Sequence, residues 1–273
     1  MKKFFTDAFT EDQANVIVFG VPVGKDGYKP LESLRDASWF VEFFDIDSKK
    51  NLLENARIFD SGNTPISELA SKVRRIIDSK KIPLMFSNTH LISLYSLKAF
   101  DDVKLIVFDA HTDLHDRFTD EKIQSADGTD DENVNEATWL RRFCDERGKD
   151  SVMLVGLRSV SEDVMGCLND FNYFSSNFVK NNLEAVKRKI EEFTKDSDVY
   201  VSVDIDVFDP SIAPAVDYPE PDGIFFNQFK ELIRSVSGKL AGADLVCLKP
   251  VENNQVTEFL AVKVIFEILG LIK

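Results

Sequence analysis

Short, continuously apolar runs recur along the chain and alternate with segments of helical periodicity. A run without polar alternation indicates a strand that is buried on both faces, which is typical of a parallel sheet covered by helices. The alternation predicts an α/β fold, either a (β/α)8 barrel or an open doubly wound sheet. The strong runs span residues 15–21, 82–87, 104–109, 151–156, 198–204 and 243–248, and weaker runs span 56–59 and 171–175.

The segments between these runs carry apolar residues at helical spacing. In TPISELASKVRRIIDSK, Thr64 is the predicted N-cap and Pro65 stands in the first turn. No internal repeat is present, and the polar segment 124–135 is interpreted as a loop, so residues 1–273 are predicted to form a single domain. Further helices are predicted over residues 181–193, 227–236 and 259–273.

Composition and charge exclude several classes of protein. The net charge of −14 repels a phosphate backbone, so neither nucleic acid nor an anionic membrane is expected as a partner. Asp7 interrupts the apolar N-terminal stretch, and Lys263 and Glu267 interrupt the apolar tail, so neither a signal peptide nor a membrane span is predicted and a cytoplasmic location is expected. The three cysteines form no CxxC pair, which argues against a disulfide framework and a structural zinc site.

Histidines and aspartates gather where three of the predicted strands end. Two of the three histidines lie in VFDAHTDLHD (residues 107–116), where the strand at 104–109 ends. The stretch DIDVFDP (204–210) begins at the last residue of the strand at 198–204, and His90 follows the strand at 82–87. Function in parallel sheets concentrates at the carboxyl ends of strands. Buried carboxylates are costly unless a cation compensates them, so a metal site is indicated. Imidazole and carboxylate ligands without thiolate favour Mn²⁺ over zinc.

The spacing bears on how many ions the site holds. In an extended chain Asp109 and Asp113 would lie roughly 13 Å apart, so either the chain curls after its strand or the site holds two ions. Two divalent ions fit better, because they would balance the charge of four carboxylates. The alternative is that these residues are N-caps and turn residues, where Asp and His are common. The accompanying Asp204, Asp206 and His90 favour the metal site over that alternative.

These motifs resemble those of the ureohydrolase family, which includes arginase, agmatinase and formimidoylglutamase. Residues 109–113 (DAHTD) match the family's DAHxD motif, residues 202–214 match SxDxDxxDPxxAP, and residues 219–223 (PEPDG) are similar to PEPGG. The similarity extends from Gly20 to Asp244. It implies a three-layer α/β/α fold around an eight-stranded, mostly parallel sheet, which decides against the barrel.

The resemblance also implies a centre of two Mn²⁺ per chain. Two cations that share a water lower its pKa towards neutrality and supply a hydroxide for hydrolysis of a C–N bond. Asp113 is expected to orient this water and to pass a proton to the leaving amine, whereas Asp209 is expected to shape a turn without binding metal. By motif position, the ligands are His90 and Asp113 for one ion and His111 and Asp206 for the other, with Asp109 and Asp204 bridging both.

The chain departs from the family's pattern around this site. Residues 87–91 (SNTHL) replace GGDHS, so Thr89 stands where the family has an acid. Glu136 aligns with the histidine of an HGT-like segment and is predicted to be a second catalytic acid, with a solvated or helix-capping residue as the alternative. Cys247 aligns with a glutamate that pairs with a guanidinium, and a neutral thiol cannot form that pair. His115 is a candidate substrate contact, or else a partner of a metal-bound carboxylate.

Three functions are compatible with these features. The first is a Mn²⁺-dependent, agmatinase- or arginase-like hydrolase that cleaves a C–N bond in a small guanidino or formimino compound. The second keeps the same two-ion site but acts on a neutral amide or amidine, as the thiol of Cys247 permits. The third is a non-catalytic regulatory paralogue, motivated by the departures at Thr89, Glu136 and Cys247. The resemblance further implies a homo-oligomer, either a trimer or a hexamer.

Overall fold

Ten strands form two sheets in this computed structural model, which describes residues 2–6, 8–119 and 131–273. The strands are β1 (Val16–Val21), β2 (Phe44–Asp45), β3 (Lys50–Asn51), β4 (Ile58–Asn63), β5 (Ile82–Ser87), β6 (Lys104–Phe108), β7 (Val152–Leu157), β8 (Asn172–Ser175), β9 (Asp198–Asp204) and β10 (Lys239–Val246). β2 and β3 pair as a short antiparallel ribbon, and the other eight form a parallel sheet in the order β4-β1-β5-β10-β9-β6-β7-β8. The eight predicted strands, including the two weaker ones, are confirmed.

Helices cover both faces of the large sheet. One buried apolar cluster joins the sheet to α1, α7, α8 and α9, and a second cluster joins the opposite face to α2, α3, α4 and α5. The fold is therefore the predicted three-layer α/β/α arrangement and not a barrel. The helices are α1 (Tyr28–Ser38), α2 (Leu69–Asp78), α3 (Leu91–Leu97), α4 (Trp139–Arg147), α5 (Glu162–Leu168), α6 (Ser176–Asn181), α7 (Leu183–Thr194), α8 (Phe226–Ile233) and α9 (Val256–Leu269).

The central strands are apolar throughout because each of their faces packs against a helical layer. In β1, Val16 and Val18 belong to one apolar cluster, and Ile17 and Phe19 belong to the other. Every residue of β1 is buried, and so is every residue of β7. The continuous apolar runs thus have the origin that the sequence predicts.

The helix predicted from Thr64 begins later than expected. A 3-10 turn over Ile66–Glu68 precedes α2, and Thr64 Oγ1 accepts a hydrogen bond from Lys72 Nζ at 2.7 Å without capping a helix. Pro65 has ψ of 145°, so the extended backbone continues through it and the helix can begin only after it. The predictions of an N-cap at Thr64 and of a first helical turn at Pro65 are therefore wrong.

Other predictions concern the loops and the tail. Residues 124–130 of the predicted polar loop lie outside the described residues, and residues 131–135 form bends and coil. The apolar tail forms α9, and within the described parts of the chain no helix combines the length and apolarity that crossing a membrane requires. The single domain over 1–273 stays a prediction.

A buried ion pair joins α1 to β4. Arg35 Nε donates to Asp60 Oδ2 at 2.7 Å and Arg35 Nη2 donates to Asp60 Oδ1 at 3.1 Å, with both side chains almost wholly removed from solvent. Asp60 Oδ2 also accepts the backbone N–H of Phe4 at 2.8 Å, and the guanidinium lies over the ring of Phe86. The pair therefore connects the N-terminal segment, one helix and one strand.

Candidate metal centre

The four central strands bring the predicted site residues to one edge of the sheet. β5, β10, β9 and β6 are neighbours, and all four run in the same direction. His90 follows the end of β5, Cys247 follows β10, Asp204 ends β9, and Asp109 follows β6. Segments that are distant in the sequence therefore converge at the carboxyl ends of the strands, as parallel-sheet topology requires.

The chain curls sharply after β6. Asp113 has a positive φ of 52°, and the backbone N–H of His111 donates to Asp109 Oδ1 at 2.6 Å. His90 Nδ1 consequently lies 3.0 Å from Asp109 Oδ2 and 3.2 Å from Asp113 Oδ2. The two carboxylates are much closer than in an extended chain, so the curl that the spacing left open does occur.

Two groups of potential ligand atoms overlap at Asp109. Within each group the atoms all lie within 4.8 Å of one another: His90, Asp109 and Asp113 form the first group, and Asp109, His111 and Asp206 form the second. Asp204 belongs to neither group. Its Oδ2 lies 3.5 Å from His90 Nδ1, and its Oδ1 accepts the backbone N–H of Asp206. Five of the six predicted ligands thus form two overlapping groups, and Asp204 borders the first.

The charges in these two groups call for a cation. Burial, followed by the charges of Asp206 and Asp109, raises the pKa of Asp204 well above its usual range. Burial opposes the charging of His111, but hydrogen bonds to Asp109 and Asp206 outweigh it and raise its pKa to about 12. His90 Nδ1 is buried and makes no well-directed hydrogen bond, although carboxylates face it. Bound divalent ions would replace the protons that these groups otherwise attract, and the donor set therefore fits such ions.

A buried polar network lies behind His90. The hydroxyl of Ser202 donates to Asp244 Oδ1 at 2.7 Å and lies 2.9 Å from His90 Nε2. Asp244 Oδ2 accepts hydrogen bonds from Tyr200 and Ser93. Because the single proton of Ser202 goes to Asp244, Ser202 accepts from His90 Nε2–H. This arrangement selects the tautomer whose Nδ1 lone pair faces the carboxylates.

A cavity of about 290 Å³ lies against the two groups. His115 lines it, with its ring 4.9 Å from that of Phe118 and its Nδ1 3.6 Å from Asp163 Oδ2. Its Nδ1 therefore faces Asp163 and not one of the carboxylates of the ligand groups, which favours the substrate-contact interpretation. The other residues of the cavity wall outside the ligand groups include Glu136, Ser159, Ser161, Asp217, Tyr218, Glu220 and Cys247.

Glu136 lies in the loop before α4 and not in the helix. α4 begins at Trp139 without a side-chain cap, so Glu136 is not a helix-capping residue. Its Oε2 accepts a hydrogen bond from Thr89 Oγ1 at 2.8 Å. Burial raises the pKa of Glu136 to about 7, although the Thr89 hydrogen bond acts in the opposite direction. Two of the departures noted in the sequence, at Thr89 and Glu136, are thus in direct contact.

Cys247 adopts a left-handed backbone conformation immediately after β10. Its φ is 65°, and its backbone N–H donates to the carbonyl of Ser87 at 3.1 Å. The thiol lines the cavity, and burial, followed by the charge of Asp204, raises its pKa well above the usual range. The side chain is therefore a neutral thiol, which argues against a nucleophilic cysteine.

Two residues that support the site were missed in the sequence. Trp139 Nε1 donates to Asp113 Oδ2 at 2.7 Å, and its ring lies 4.6 Å from that of His90. Arg158 donates to the carbonyl of Asp206 at 2.6 Å and to that of Glu220 at 2.9 Å. In the sequence, Arg158 could have been recognised because it is a charged residue directly after an apolar strand. Trp139 offers no such signal except that tryptophan is rare in this chain.

The chain is similar to known proteins over almost its whole length. A model of the arginase family matches residues 14–270. An agmatinase of Bacillus anthracis is 27% identical over 94% of this chain and 92% of that protein. A mitochondrial arginase of Medicago truncatula is 26% identical over 80% of this chain and 68% of that protein. The solved agmatine ureohydrolase of Thermoplasma volcanium superposes with a TM-score of 0.85 at 28% identity, covering 99% of this chain and 94% of that structure.

Proposed function

Because the chain belongs to the arginase family, whose members are hydrolases acting on C–N bonds, we propose that it is a Mn²⁺-dependent hydrolase of a small guanidino or formimino compound. Agmatine and arginine are the first substrates to test, since similar proteins are an agmatinase and an arginase. The observation that carries the proposal is the overlap of two imidazole–carboxylate groups at Asp109.

In this proposal each overlapping group holds one of two Mn²⁺ ions, and Asp204 completes the set beside His90. When bound, the ions would supply a water of lowered pKa. Asp113 would orient the attacking water, with its Oδ2 held by Trp139 Nε1. Asp113 is also the proposed group that takes up a proton and passes it to the leaving amine. Glu136 is the second proposed catalytic acid, while His115 and Cys247 form part of the substrate-binding wall.

The direct test is a turnover assay on metal-free and Mn²⁺-loaded protein. We expect release of urea from agmatine or arginine, or of formamide from a formimino compound, only after Mn²⁺ is added. No turnover on any of these substrates, in protein that holds about two Mn²⁺ per chain, would contradict the proposal. Retention of fewer than about one Mn²⁺ per chain would instead favour the regulatory paralogue. The homo-oligomeric state and the cytoplasmic location stay predictions.

The neutral-amide alternative is tested by Cys247→Glu. Cys247→Gln is the control, because it has the same shape without the charge. If the wild-type cavity already binds a guanidinium, kcat/KM for agmatine should differ by less than about threefold between the Glu and Gln variants. If the cavity is built for a neutral group, the added carboxylate should raise this value about tenfold or more in the Glu variant alone. Steady-state urea release by the two variants separates these outcomes.

The network behind His90 gives a prediction about metal affinity. Ser202→Ala removes the acceptor for His90 Nε2–H, so we expect about tenfold weaker Mn²⁺ binding, measured by titration calorimetry. Tyr200→Phe is the matched control, because it removes a different donor to Asp244 and does not contact His90. An equal loss of affinity in both variants would show that the effect passes through the packing of Asp244 and not through His90.

A further inference from the structure

The cavity wall carries acidic side chains that the two ligand groups do not use. Among the described residues, no arginine or lysine lines this cavity. Asp217 is compensated by Lys249, whose Nζ lies 2.9 Å away. Glu220 accepts the hydroxyl of Ser159 and lies beside the guanidinium of Arg158, which donates to its main-chain carbonyl at 2.9 Å. Glu136 accepts only a neutral hydroxyl, that of Thr89, and has no ion-pair partner within the described chain. Glu136 is therefore an acidic side chain of the cavity wall that has no cation of the described chain in direct contact.

The carboxylate of Glu136 is held in a defined position beside the metal ligands. Thr89 directly precedes His90, and its Oγ1 accepts the backbone N–H of Leu91 at 3.3 Å. The single proton of this hydroxyl is therefore directed to Glu136 Oε2. Next to Glu136, the buried side chain of Asn135 donates to the carbonyl of Phe118 at 2.8 Å, which fixes the loop. One carboxylate oxygen is thus anchored beside His90, and the other is not engaged by Thr89.

We propose that Glu136, positioned by Thr89, is the carboxylate that pairs with the planar cationic group of the substrate, an amidinium or guanidinium. This inference rests on the proposed function and names its substrate class. An amidinium or guanidinium offers N–H donors and a positive charge to a carboxylate that otherwise contacts only the neutral hydroxyl of Thr89. A neutral amide of the same shape cannot compensate the charge of Glu136. The thiol of Cys247, on the wall of the same cavity, has no two oxygen acceptors to offer a planar cation and does not supply this pair.

The test compares agmatine with its ureido isostere, in which a carbonyl replaces the cationic C=NH₂⁺ group. We expect Glu136→Gln to raise KM and the calorimetric Kd for agmatine about 10- to 100-fold in the Mn²⁺-loaded protein. Binding of the ureido isostere should change less than about twofold, because only the charge of position 136 has been removed. Thr89→Val should raise KM for agmatine about threefold to tenfold, because it removes the hydroxyl that holds Glu136 and that also accepts the backbone N–H of Leu91.

Two controls distinguish charge from folding. Glu132→Gln is the same chemical change in the same loop, at an exposed side chain paired with Arg117, and should leave KM for agmatine unchanged. Adding Cys247→Glu to Glu136→Gln returns a carboxylate to the cavity and should recover at least part of the agmatine affinity, whereas adding Cys247→Gln should not. If Glu136 only maintained the local structure, a carboxylate at position 247 would not restore the affinity for agmatine.

The outcomes separate this inference from the proposed function. An agmatine Kd that is unchanged in Glu136→Gln, or a loss of kcat at unchanged KM, overturns the pairing role even if the protein is a hydrolase. Absent turnover in the wild type, together with agmatine binding that depends on Glu136, overturns the proposed function and retains the pairing. Metal content is measured for each variant, and Thr89→Val carries the test if Glu136→Gln does not fold.

Discussion

Asp109→Asn should remove most of the bound Mn²⁺ and lower kcat on the order of a thousandfold. Asp109 is the one residue common to both ligand groups, and its two oxygens face His90 and His111. A carboxamide keeps the volume of the side chain but supplies no charge to either ion. Loss of this residue should therefore weaken both ion sites at once. Metal content after dialysis and the initial rate of urea release measure the two effects.

Asp209→Asn is the matched control for this prediction. Asp209 lies in the same acidic stretch as Asp204 and Asp206, but its Oδ1 accepts hydrogen bonds from the hydroxyl and backbone N–H of Ser211. Asparagine can accept the same bonds, so we expect full metal content and a kcat within about threefold of the wild type. The centre is wrongly located if Asp109→Asn keeps about two Mn²⁺ per chain, or if both variants lose metal equally.

The largest effect on stability is expected from Asp60→Asn. This change leaves the buried guanidinium of Arg35 without its charged partner, and breaking a buried ion pair from one side typically costs about 3–5 kcal/mol. Asp60 also accepts the backbone N–H groups of Phe4 and Gly62, so the N-terminal segment should loosen with it. Urea denaturation of metal-free wild type and variant measures the free energy of unfolding without a contribution from metal binding.

An exposed pair of similar geometry provides the comparison. Arg74 contacts Asp101 through two hydrogen bonds, at 2.7 and 3.2 Å, and the side chain of Asp101 is 85% exposed. Water solvates both charges when this pair is broken, so Asp101→Asn should lower the free energy of unfolding far less than Asp60→Asn does. Equal costs at Asp60 and Asp101 would show that burial does not determine the contribution of the Arg35 pair.

The strands were predictable because their apolar pattern reflects burial by two helical layers. Even the weak run at 56–59 marks a real strand, β4, which lies at the sheet edge and has buried and partly buried residues in alternation. The order of the strands was not predictable, since β10 lies between β5 and β9 through packing and not through sequence proximity. The start of α2 was also missed, because Pro65 is compatible with a helix in φ but adopts an extended ψ.

At the candidate site, the motifs predicted which residue types would meet but not how the chain turns to bring them together. The curl after β6 depends on Asp113, whose carboxylate is held by Trp139 from α4. The contact between Thr89 and Glu136 joins positions 47 residues apart, and neither position alone indicates the other. Asp204 was predicted as a bridging ligand, a role that stays a prediction because Asp109 alone is common to both groups.

Arg158 connects the loop that carries Asp206 to the loop that carries Glu220 through main-chain carbonyls alone. These hydrogen bonds are indifferent to which side chains the two loops present. Substitutions of side chains in the cavity wall can therefore leave the backbone path of both loops unchanged. A single guanidinium thus separates the position of these loops from the chemistry that their side chains offer to a ligand.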